Sequence, residues 1–120
     1  MTAPYQQYLA ETLIDQNALM QRVSELGHEI SRDYANCDTL LLICILKGGV
    51  MFLSDLTRHI TVPHEIDFMA VSSYGHGVRE SKGSVRIDMD LTAELKDKHV
   101  LIIEDIIDCA RLAASAINVQ

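Results

Sequence analysis

The stretch His99-Val100-Leu101-Ile102-Ile103-Glu104-Asp105-Ile106-Ile107-Asp108 decides the fold. Val100 to Ile103 are aliphatic and do not alternate, which predicts a strand buried on both faces, as in a parallel sheet. Glu104, Asp105 and Asp108 follow at its C-terminal end, and in open α/β sheets ligands bind outside such ends. Carboxylates packed this closely beside a core need water, a cation or a hydroxyl-rich ligand. Adjacent acids followed by a third suit a divalent cation shared with water and substrate phosphates, or the two hydroxyls of a ribose. A further Asp can serve as general acid or base when burial or its neighbours raise its pKa. The plainer alternative is that the acids cap the next helix, whose N-terminal dipole favours negative charge.

Working outward, Thr39 to Leu46 is a second continuous apolar run, again suited to a buried parallel strand. It ends in Lys47-Gly48-Gly49, which is either simple punctuation or a place where the backbone approaches an anion closely. Val50 to Ile60 has helical spacing. His64 to Ser73 reads as a strand, so the segment forms a βαβ unit. Tyr74 to Ser84 is a glycine-bearing loop, either a lid beside the site or a long solvated hairpin connection. Val85 to Leu91 alternates as a half-exposed strand does, and Thr92 to Lys98 is a polar turn. Toward the N-terminus, Tyr8 to Tyr34 has helical periodicity, with a break expected near Asp15-Gln16-Asn17 and Asp15 or Asn17 as a cap. Cys109 to Val119 is Ala-rich and helical in propensity.

The composition narrows the function. With 120 residues the chain is a single domain, residues 1–120. The net charge of −7, from 10 basic and 17 acidic residues, argues against a nucleic-acid partner, which needs a basic face. Cys37, Cys44 and Cys109 are odd in number and form no CxxC pair, as expected of a reducing cytoplasm. The apolar runs are far shorter than the roughly 18 residues that mark a membrane span, so no membrane association is expected. The five histidines, His28, His59, His64, His76 and His99, lack metal-ligand spacing and read as surface or structural residues.

Three segments together resemble the hypoxanthine(-guanine) phosphoribosyltransferase family: Leu46-Lys47-Gly48-Gly49, Asp67 through Gly75, and Val100 through Asp108. The resemblance runs over about residues 8–108. It implies the type I phosphoribosyltransferase fold, an α/β architecture with a parallel sheet flanked by helices and a small hood. It implies purine salvage, in which hypoxanthine or guanine reacts with phosphoribosyl pyrophosphate and Mg²⁺ to give the nucleotide and pyrophosphate. It also implies a homodimer or homotetramer. Carried onto this chain, Lys47 and Gly48 correspond to the pyrophosphate loop, whose Lys–Gly peptide is expected to be cis. Ser73 and Tyr74 correspond to the start of the lid. Glu104 and Asp105 correspond to the ribose and magnesium carboxylates, and Asp108 to the group that handles the purine's imidazole proton.

The chain departs from that pattern after Asp108. Family members carry Thr/Ser-Gly-x-Thr, which binds the 5′-phosphate at a helix N-terminus. Cys109, Ala110, Arg111 and Leu112 stand there in this chain. Both hydroxyls are gone, and each lost hydrogen bond to a charged group weakens binding by about 1.5–3 kcal/mol. Arg111 offers a replacement charge. The sequence stops at Gln120, so the C-terminal strands and hood are expected to be missing, through a truncation, a frame-shifted tail or an alternative terminus. That would leave an exposed sheet edge. The expectation is a weak or inactive enzyme, or alternatively a non-catalytic binding or assembly module of the same fold.

Overall fold

Leu40–Ile45 forms strand β1, and all six of its residues are buried. It lies at the centre of the sheet because its alternate side chains feed two apolar layers. Leu40, Leu42 and Cys44 pack with Val23, Leu53, Leu56 and Ile60 on one face. Leu41, Ile43 and Ile45 pack with Met69, Ala113 and Ala116 on the other. The computed structural model describes residues 4–73 and 85–118.

Helix α1 spans Gln16–Asp33 and α2 spans Val50–Thr57. They cover the first face, while α3, Ile107–Asn118, covers the second. Strands β2 (His64–Ser73) and β4 (His99–Ile103) both run parallel to β1. Strand β3, Val85–Met89, is antiparallel to β2, and the order is β3-β2-β1-β4. The sheet is therefore mixed rather than wholly parallel.

Three expectations change. β4 is not buried on both faces: His99 is exposed, Val100 to Ile102 are partly buried, and only Ile103 is buried. Among the described residues β4 pairs only with β1, so one edge of the strand is uncovered. The periodic stretch from Tyr8 breaks at Asp15 as expected, but residues 9–14 before the break are not helical. A 3₁₀ turn at Pro4–Tyr8 precedes α1, which starts only after Asp15 caps it by accepting the Ala18 N–H at 2.7 Å. Leu9, Leu13 and Ile14 are 52%, 85% and 70% exposed, and without packing their helical spacing is not enough to hold a helix. Finally, α3 begins two residues early, at Ile107, which takes Asp108 to Leu112 into its first turns.

Helix α1 meets the turn that follows α2 at Gly27, where an added Cβ would stand 2.4 Å from His59 Cβ and 2.9 Å from His59 C and O. Ser31 Oγ fastens the same contact, donating to Gly27 O and accepting from Thr61 N. Gly27→Ala is expected to lower stability by about 1–3 kcal/mol, the usual range for overpacking. A fall in the urea midpoint at unchanged slope checks this.

Asp67, 7% exposed on β2, is the one buried acid among the described residues. Its carboxylate accepts from the N–H groups of Phe68, Thr92 and Ala93, each at 2.8 Å, and from the Thr92 hydroxyl. It thereby ties the turn before β4 to the sheet.

Candidate active site

The C-terminal ends of β1 and β4 lie side by side because the two strands are paired from Leu40↔His99 to Cys44↔Ile103. Lys47-Gly48-Gly49 leaves β1 as a turn in which Gly49 N–H donates to Ile45 O at 3.1 Å. The cis peptide lies one bond earlier than expected, at Leu46–Lys47. Lys47 and Gly48 are exposed, and Gly49 is buried. Gly48 faces the acidic strand end: an added Cβ would stand 3.1 Å from Asp105 Oδ1. Two segments 57 residues apart in sequence (105 − 48) thus meet at one point.

A cavity of about 420 Å³ opens there. Leu19, Val23, Met51 and Phe52 make its apolar wall, and Gly48, Asp55, Glu104 and Asp105 its polar wall. The sequence of α2 shows only apolar spacing and does not single out Asp55. No motif marks Asp55, and it enters the cavity because α2 starts directly after the Gly48-Gly49 turn. It also pairs with Arg58 at 3.6 Å.

The three acids differ in environment. Glu104 is half-buried and turns inward, where Oε1 accepts the Asp105 N–H at 2.8 Å and the carboxylate also receives the Ile106 N–H. Glu104 therefore caps the approach to α3. Burial, together with the neighbouring Asp105 carboxyl, pushes its pKa up, while those two N–H groups oppose the rise. Asp105 is exposed at the cavity. Asp108 sits in the first turn of α3 with its side chain 89% exposed, 3.7 Å from Arg111. Beneath the turn, burial raises the Cys44 thiol pKa, and the Glu104 charge adds to the effect.

Cys109, Ala110, Arg111 and Leu112 lie within α3 rather than in a loop, and the Ala110 N–H is bonded to Ile106 O at 3.0 Å. Ser73 ends β2. Tyr74 and the segment read as a lid lie outside the described residues. Four histidines have structural settings. His64 Nδ1 donates to Val62 O, leaving Nε2 to accept from the Thr57 hydroxyl. His28 donates to Ser24 O, His59 packs on Gly27, and His99 meets the Tyr34 ring edge-on. His76 is outside the described residues. Among the described residues, no helix is long and apolar enough to cross a membrane.

Residues 10–111 match the model of the phosphoribosyl transferase domain. A hypoxanthine phosphoribosyltransferase of Buchnera aphidicola is 42% identical over 110 residues, covering 91% of this chain and 62% of that protein. A hypoxanthine-guanine phosphoribosyltransferase of Dictyostelium discoideum is 45% identical over 101 residues, covering 82% and 56% respectively. The crystal structure of a Staphylococcus aureus hypoxanthine phosphoribosyltransferase superposes with a TM-score of 0.84 at 38% identity, over 99% of this chain and 64% of that one. The chain therefore spans 56% to 62% of the length of these two curated relatives.

Proposed function

Because the chain belongs to the phosphoribosyl transferase domain family, we propose that it serves purine salvage, transferring a phosphoribosyl group from phosphoribosyl pyrophosphate to hypoxanthine or guanine. The observation that carries this reading is the meeting of Gly48 and Asp105 on one cavity. An anion-approaching turn and a carboxylate pair then face the same bound molecule, as a pyrophosphate leaving from a ribose requires. In this reading the Lys47–Gly48 turn receives the pyrophosphate. The carboxylates take the ribose hydroxyls. Asp108 accepts the proton released when the purine's imidazole nitrogen bonds to the anomeric carbon and pyrophosphate departs, with inversion there. Ser73 and Tyr74 begin the cover that excludes water.

The donor set fits Mg²⁺. Asp105 and Glu104 offer hard oxygen ligands, with Asp105 the less engaged of the two. No group of three or more His, Cys, Asp or Glu among the described residues is arranged to hold a metal by itself. Substrate oxygens and water would complete the coordination. Bound there, Mg²⁺ neutralises the charge of the departing pyrophosphate. The three unpaired cysteines suit a reducing compartment, and we place the protein in the cytoplasm on that ground. Exposed Leu9, Leu13 and Ile14 suit a homodimer or homotetramer.

Calorimetry with phosphoribosyl pyrophosphate, with and without Mg²⁺, tests the reading. Mg²⁺-dependent heat is expected, followed by at most weak nucleotide formation once hypoxanthine is added, since the 5′-phosphate segment lacks its hydroxyls. An absence of Mg²⁺-dependent binding overturns it.

A second reading, a non-catalytic module of the same fold, draws support from the helical Cys109–Leu112 segment, which lacks hydroxyls. Arg111 and Leu112 are the family's "x" and Thr positions, so Cys109→Thr/Ala110→Gly/Leu112→Thr restores the family pattern. This variant is expected to tighten binding of inosine monophosphate about tenfold or more, the equivalent of one regained hydrogen bond to a charged group. Unchanged affinity in a titration favours the module.

A further inference from the structure

The two glycines of the turn meet very different neighbours. A Cβ on Gly48 would press on the Asp105 carboxyl, the end of an exposed side chain that can swing aside. A Cβ on Gly49 would lie 3.0 Å from both Ile45 O and Ile103 O and 3.2 Å from Cys44 Sγ. Those carbonyls belong to the ends of β1 and β4, and Cys44 is fully buried. The two carbonyls are backbone and can give the few tenths of an ångström required only by moving a strand end, and the Cys44 sulfur is confined by its burial. Gly49 is also bonded at both sides: its N–H donates to Ile45 O, and its carbonyl accepts from Leu53 N at 2.9 Å, the start of α2.

We propose that the buried Gly49 is a positioning residue: it lets the Lys47–Gly49 turn sink between the carbonyls of Ile45 and Ile103 and so sets the separation between the Gly48 backbone and the Asp105 carboxylate. A side chain at 49 lifts the turn or parts β1 from β4, and either shift moves the pyrophosphate side of the site relative to the ribose side. Cys44 is the floor of this seat. The choice of ligand rests on the function proposed above, whereas the seating itself does not.

The test compares wild type, Gly49→Ala, Cys44→Ala/Gly49→Ala and Gly27→Ala. Two readouts are used: calorimetric affinity for phosphoribosyl pyrophosphate with Mg²⁺, and the backbone amide NMR resonances of Gly48 and Asp105. Gly49→Ala is expected to weaken binding about tenfold or more, as small misplacements in a site do, and to shift both amides. Removing the Cys44 sulfur in the double variant relieves one of the three contacts and recovers part of the loss. Gly27→Ala, which strikes His59 on the other side of α2, lowers stability but leaves the affinity of the folded protein unchanged. The proposal is overturned if Gly49→Ala binds like wild type with both amides in place, or if Gly27→Ala weakens binding equally. If wild type shows no Mg²⁺-dependent binding, the proposed function fails and the amide shifts alone decide the seating. Should Gly49→Ala not fold, Cys44→Val presses on the turn from below, and a smaller loss with the same amide shifts is expected. Unmoved amides in that variant overturn the proposal.

Discussion

Asp67→Ala is expected to lower stability by about 3–5 kcal/mol, because it removes a charged acceptor from several donors at once and each such hydrogen bond is worth about 1.5–3 kcal/mol without full additivity. The N–H groups of Phe68, Thr92 and Ala93 all lose their shared partner, a carboxylate that is only 7% exposed. The fall in melting temperature should be about 10–20 °C for a domain of this size. Asp67→Asn should be intermediate, since one oxygen remains and the amide N–H₂ must face a donor. The effect depends on pH. Burial on its own raises the Asp67 pKa, but the N–H groups of Ala93, Phe68 and Thr92 and the Thr92 hydroxyl outweigh it and hold the pKa below the usual value. A folded-state pKa below the unfolded one means stability that is fully present above the unfolded value of about 4 and lost as pH falls through the folded value. Urea midpoints of wild type and Asp67→Ala should therefore differ most at neutral pH and converge in acid. A gap that stays constant down to the lowest pH at which both fold contradicts the account.

Asp105→Ala is expected to abolish most Mg²⁺-dependent binding of phosphoribosyl pyrophosphate, at least about 100-fold, because loss of an outer-shell partner alone costs 10–100-fold in metal affinity. Stability should change little, since Asp105 is exposed and its carboxyl stands beside only the Gly48 turn and the like-charged Glu104 carboxyl. Asp55→Asn is the matched control. It removes one negative charge from the same cavity, but that charge is already paired with Arg58. If the cavity acts only through its general negative field, the two variants weaken binding alike. If Asp105 is a ligand, Asp105→Ala is far the worse. Titration calorimetry at fixed Mg²⁺ distinguishes them.

Much of the site was legible because its residues stand where regular elements end. The apolar runs at 39–46 and 100–103 predict strands, and the Lys47–Gly49 and Glu104–Asp108 segments follow directly from them. The Asp15 cap was readable for the same local reason. Asp55 was not readable, because an acid on an amphipathic helix looks like any solvated one until the helix is placed. Nor was the role of Asp67, whose Thr92 and Ala93 partners lie 25 and 26 residues away.

The sequence by itself determined which segments are strands, which faces are apolar and that acids follow the last strand, because periodicity and short-range capping are properties of neighbouring residues. Only the tertiary structure decided that β1 rather than β4 is the strand buried on both faces, since burial depends on how many strands and helices pack against it. The same holds for the acids. Glu104 turns inward onto N–H groups while Asp105 faces Gly48, and that division follows from the pairing of β1 with β4 and from where α3 begins. Three carboxylates that are chemically alike in the sequence became distinct only through the backbone donors and the turn brought beside them.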